Sequence, residues 1–121
     1  MNKKRVDSWL LDAKKALEVT EIAKGGIIDK TFRAQISSFG AAVIMGSFKS
    51  AVAFFSEQNG ASVEREKLLI AMYLVIFKER KSSAKQVLEY VCNNDSVDLK
   101  EKFIDASLAI KLAMNFFELK A

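Results

Sequence analysis

The stretch Leu68-Leu-Ile-Ala-Met-Tyr-Leu-Val-Ile-Phe77 is the longest fully apolar run in the chain. It is flanked by charge on both sides, Glu64 to Lys67 before it and Lys78 to Lys81 after it. As a strand it would be long, and no neighbouring stretch supplies a partner for it. As a helix that is apolar all round, it is the central, surrounded member of a bundle. It falls well short of the roughly eighteen residues needed to span a membrane. Ser62 is placed to cap its N-terminus, and the element extends to about Glu79.

Working outward toward the C-terminus, Ser83-x-x-Gln86 matches a capping box and opens a short helix to about Cys92. Asn93-Asn94-Asp95-Ser96 is turn chemistry. Asp98 with Glu101 then matches a second cap, from which a last helix runs to the C-terminus. Leu99, Phe103, Ala106, Ile110, Ala113 and Phe117 form one apolar stripe on it. Leu108, Leu112 and Leu119, with Phe116 nearby, form another on nearly the opposite side. Such a helix is either sandwiched between neighbours or presents its second stripe, Leu108/Leu112/Leu119, as a docking face.

Toward the N-terminus, a helical stretch leads from Asp29 to a stop at Asn59-Gly60. Its phase shifts midway. Phe32, Ile36, Phe39 and Val43 share one face, whereas Ile44, Phe48, Val52 and Phe55 share another. The shift coincides with Gly46-Ser47, which predicts a kink or break there. The first helix spans about Lys4 to Lys24, with Val6, Leu10, Ala13 and Leu17 on one stripe, and Gly25-Gly26 ends it. The expectation is an all-α, single-domain bundle of five to six helices covering residues 1–121.

Composition agrees. The 121 residues are half hydrophobic and contain no proline, where average usage would supply about six. Proline-free, alanine- and leucine-rich sequence favours helix. With no histidine, there is no Ser-His-Asp or Cys-His pair and no His-ligated metal. One cysteine, Cys92, excludes a disulfide framework and a Cys-rich zinc site. It is read as a buried structural thiol. The acid pairs Glu64/Glu66 and Asp95/Asp98 sit near helix starts, where they complement the dipole. Asn93 to Asp98 lacks the spacing of a calcium loop. No phosphate-binding glycine loop is present. The reading is a non-enzyme without cofactor or metal. The short, interrupted apolar segment after Lys3-Lys4-Arg5 does not suit a signal peptide, so the cytoplasm is the expected compartment, with no membrane contact.

Net charge is +4, with 19 basic and 15 acidic side chains. Between Lys30 and Ser56 there is no acidic residue, while Lys30, Arg33 and Lys49 are present. A face of this kind suits phosphate, since each contact releases counterions. Lys78, Arg80, Lys81 and Lys85 form a second cluster, where complementing a helix C-terminus is the competing role. Arg33, Lys30 and Lys49 are the leading RNA-contact candidates, followed by Lys14, Lys15, Arg80 and Lys81. A helix-turn-helix regulator is disfavoured, because Gly60 leads into an apolar rather than a polar helix.

One stretch carries a family resemblance. Thr31-Phe-Arg-Ala-Gln-Ile-Ser-Ser-Phe-Gly40, followed by Ala41-Ala-Val-Ile-Met-Gly46-Ser-Phe-Lys-Ser-Ala-Val-Ala-Phe-Phe55, resembles the small, all-helical subunit of the type III-B CRISPR effector, the Cmr RNA-silencing complex. The shared pattern is an aromatic-Arg/Ser helix, a glycine break followed by an apolar residue, and a small-apolar helix ending in aromatics. Chain length and the opening Lys3-Lys-Arg-Val-Asp7 are also similar. The family pattern has Gly followed by Leu at the break; here Ser47 intervenes and Phe48 takes the apolar role one residue later. The resemblance implies a subunit with no active site of its own, stacked along a filament built on CRISPR guide RNA. It would contact backbone subunits, further copies of itself, and the channel where target RNA pairs with the guide. Alone in solution it is expected to be a monomer. The alternative is a helical protein adaptor, docking without nucleic acid through Leu108/Leu112/Leu119.

Overall fold

The computed structural model describes residues 1–57 and 64–121. Among them the chain forms seven α-helices: α1 (Lys3–Ser8), α2 (Leu10–Val19), α3 (Lys30–Met45), α4 (Phe48–Ser56), α5 (Glu66–Phe77), α6 (Ala84–Asn93) and α7 (Val97–Ala113). A 3-10 turn (Met114–Phe116) and three short strands, β1 (Ala23–Lys24), β2 (Ile27–Asp29) and β3 (Glu118–Lys120), complete it. The all-α bundle is as the sequence predicts. The count is seven rather than five to six because the first helix is divided at Trp9; the division at Gly46-Ser47 is the predicted one.

Two helices form the centre. α5 packs against α2, α4, α6 and α7, while α7 packs against α1, α2, α3 and α5. In α5, Leu68 to Tyr73 and Val75 are buried, as an all-apolar helix requires. Its predicted cap Ser62, like the Asn59-Gly60 stop, lies outside the described residues. α6 begins as read: the Ser83 hydroxyl accepts from the Gln86 N–H. α7 is capped by Ser96, which accepts from the Leu99 N–H at 3.0 Å, two residues ahead of the cap expected at Asp98. The break at Gly46 is a full one. Ser47 and Ser50 cap α4 reciprocally, side chain to backbone in both directions, so each fills one of the donors a helix start leaves open.

The two chain ends depart from the helical reading. α2 stops at Val19, not near Lys24. The buried Thr20 hydroxyl turns back onto the Ala16 carbonyl at 2.7 Å, and Glu21 enters the left-handed region with φ 61. Gly25 and Gly26 follow, φ +58 and +80. They are the two-residue loop of a β1–β2 hairpin pairing Lys24 with Ile27, a turn that requires positive φ at both positions. At the other end α7 does not run to the C-terminus. It closes at Ala113, and β3 pairs in parallel with β2, Ile28 opposite Leu119. Leu119 is therefore on a strand, and the Leu108/Leu112/Leu119 stripe is not one helix face. Cys92 is also corrected: it is exposed, on the outer side of α6.

No helix among the described residues is long and apolar enough to cross a membrane.

Candidate nucleic-acid interface

The seven predicted RNA-contact cations do not form one surface. Lys49, on α4, lies 3.8 Å from Asp95 in the α6–α7 loop. The acid-free stretch thus meets an acid supplied by another element. Arg80 donates to the Val19 carbonyl at the end of α2 (3.1 Å). Lys81 lies 3.8 Å from Glu79 and over the Tyr73 ring. Burial holds the Tyr73 hydroxyl above its ordinary pKa, with the Lys81 charge opposing. These two cations serve the helix-terminus and packing roles that competed with phosphate binding. Lys15 and Lys30 are exposed.

Lys14 and Arg33 do converge, on the 3-10 turn. Arg33, at the start of α3, donates from Nη1 to the Asn115 Oδ1 at 3.1 Å. The Lys14 ammonium, on α2, sits 5.4 Å from the centroid of Phe116. α3 and α7 run antiparallel. The start of α3 meets the turn after α7, and Val43 and Ile44 at its end share a cleft with Ser96 and Val97. Between these ends lies a shallow groove of about 190 Å3 lined by Ile36, Ser37, Gly40, Ser107, Leu108 and Lys111. Ser37 is one helical turn from Arg33, and Lys111 one turn from Asn115, so groove and turn are continuous.

Two cations, Lys14 and Arg33, therefore meet at one turn, and Lys111 lies one helical turn before it on α7. Among the described residues none of them is within ion-pair distance of a carboxylate. Glu118 is nearest in sequence to the turn and is held by Lys120 at 3.5 Å; Glu18 follows Lys14 by one turn of α2. Phe116 is 54% exposed, while Phe117 beside it packs on the core. Sequence reasoning missed Lys111, Asn115 and Phe116 as site residues. A helix extended to the C-terminus made Phe116 part of an apolar stripe, and no sequence signal marked the end of α7.

The predicted docking residues divide similarly. Leu108 and Leu119 are half-buried against the core, and Leu112 is exposed. The more prominent apolar surface lies at the far end of α3, where Ile44, Met45 and Val97 are 79%, 87% and 68% exposed. Ile44 and Val97 line a cleft of about 630 Å3 together with Phe48, Asp95, Lys100 and Ile104. A third cleft, about 450 Å3, mixes Glu21, Asp29 and Glu64 with Lys24 and Lys67 over Phe32. Among the described residues, no group of three or more His, Cys, Asp or Glu side chains is placed to hold a metal.

No family model, no curated protein and no solved structure matches the chain.

Proposed function

We propose that this chain is a non-catalytic, RNA-binding structural subunit of a CRISPR RNA-guided effector of the type III-B class, acting in antiviral defence in the cytoplasm. The observation that carries the reading is the meeting of Lys14 and Arg33 at the turn after α7, with Lys111 one helical turn before it, all free of carboxylate partners among the described residues. Cations without carboxylate partners are available to phosphate, and each contact adds affinity by counterion release; Lys111 also complements the C-terminal end of α7. The resemblance of residues 31–55 supplies the complex. The helix–break–helix architecture of α3 and α4 is what that pattern needs.

A subunit that stacks between neighbours also needs more than one protein-facing surface, because head-to-tail contacts join two different patches. Ile44, Met45 and Val97 supply one, and Leu11 and Val19 on the outer side of α2 supply apolar surface on another element. In this reading the guide carries the sequence information, and the chain contributes phosphate contacts that do not depend on sequence.

The test is a tagged pull-down from the cells that encode the protein. Discrete guide-sized RNA with several stoichiometric larger proteins is the expected result. A single protein partner without RNA would make the chain an adaptor instead. Recovery of the bare chain would remove both readings.

A further inference from the structure

Resting on the RNA-binding reading above, the geometry points to a single-stranded segment as the ligand of the 114–116 turn, with one unpaired base laid against Phe116. Three features of the turn combine to this end. Phe116 leaves more than half of its side chain to solvent, although its neighbour Phe117 shows that apolar cover is within reach. An exposed phenylalanine alone is unremarkable. Here the Lys14 ammonium lies over one face of the ring, 5.4 Å from its centroid, Arg33 meets the turn through Asn115, and Lys111 stands in the turn of α7 just before it. Aromatic surface beside cations that have no carboxylate partner among the described residues is the combination that binds single strands, the ring face opposite Lys14 taking a base and the cations taking the phosphates on either side.

The polar groups fit the same ligand. Asn115 is exposed, and Arg33 fixes it through its Oδ1. Its amide NH2 makes no hydrogen bond among the described residues, which leaves a donor beside the ring for the edge of a base. The α3–α7 groove leads away from the turn over Ser37, Gly40 and Lys111. Gly40 keeps its floor low, so an extended backbone can follow it. A duplex does not satisfy this site, because its bases are stacked on each other and have no free face to offer.

The experiment is fluorescence anisotropy with the full chain at low salt. The probes are oligouridine of about twelve nucleotides, the same length of abasic strand, and an RNA duplex of that length. Phe116→Ala is expected to weaken oligouridine binding about tenfold, leaving the abasic and duplex titrations unchanged; Phe116→Trp should restore oligouridine binding. Circular dichroism of each variant checks that the fold is retained. If wild type binds oligouridine and Phe116→Ala binds it equally well, base stacking at this turn is overturned while RNA binding stands. If wild type binds none of the three probes, the RNA-binding reading itself fails.

Discussion

Arg5 closes onto the fully buried carboxylate of Asp105 with two donors, Nε at 2.9 Å and Nη2 at 2.7 Å, both to Oδ2. The Asn2 backbone N–H approaches the same carboxylate at 3.3 Å. A carboxylate without solvent requires such partners, and removing one leaves a charge stranded in the core. α1 is thereby fixed to the middle of α7. Arg5→Ala is expected to lower stability by about 3 kcal/mol, read as a shift in the urea midpoint. The double variant Arg5→Met with Asp105→Leu should recover most of that loss, since no charge is then left buried.

Asp29 caps α3 by accepting from the Thr31 N–H at 2.9 Å. Its pKa lies below the ordinary 3.8, chiefly through that backbone hydrogen bond, then through the Thr31 hydroxyl and the Lys30 charge. A depressed carboxyl favours folding while ionised, so its contribution is present above pH 3.8 and disappears as the pH falls through the lower folded value. Asp29→Ala should lower the melting temperature by a few degrees at neutral pH. In strong acid, wild type and variant should converge. A difference that persists there would show the cap acting through something other than its charge.

At the α3–α4 break, a Cβ added to Gly46 would meet the Ala42 carbonyl oxygen at 3.1 Å and the Ser50 hydroxyl at 3.2 Å. Both atoms are fixed, one in the last turn of α3 and one in the α4 cap. Gly46→Ala is expected to cost about 1 kcal/mol and Ser47→Ala a similar amount. The two should not add fully, because both act on the Ser47–Ser50 cap. Thermal denaturation of the single and double variants measures this.

The charge map separates cations that the sequence grouped together. Arg33→Gln with Lys111→Gln should lower the slope of log affinity against log salt by about 1.4 for single-stranded RNA, two contacts at about 0.7 each. Lys49→Gln should change it far less, because Lys49 already faces Asp95. Equal effects at Lys49 and Arg33 would disperse the proposed interface over the whole of the α3–α4 stretch.

Much of this architecture is written in periodicity and caps. The all-apolar run gave α5, the phase shift at Gly46 gave the division of α3 from α4, and Ser83 gave the start of α6. What escaped was decided by local groups without a helix-stop signature or by residues that meet only in the fold. α2 ends through the Thr20 hydroxyl and Glu21 in the left-handed region, where glycine would be the usual signal. α5, by contrast, ends close to the expected Glu79, at Phe77, with Lys78 at φ 57 and its ammonium turned back to the Val75 carbonyl at 2.6 Å and to Asp12 at 2.8 Å. β3 forms because β2 offers it an edge, which three residues cannot announce by themselves. The site was half legible for the same reason: Lys14 and Arg33 stood out as charges, but only the end of α7 brings them to one turn.

The pairing of Ile28 with Leu119 joins residues roughly ninety positions apart, and the Arg5–Asp105 contact closes a loop of similar length between helices, so the entropic toll is shared with the helical body. Three-residue strands return little enthalpy against it. With so few ladder hydrogen bonds, the sheet is expected to open more readily than the helices. Met114 is fully buried and Phe117 packs on the core, so such an opening frees Glu118 to Lys120 while Asn115 and Phe116 stay beside Arg33 and Lys14. The proposed RNA site is thus anchored by the core and not by the sheet edge, and it should survive loss of the β2–β3 pairing.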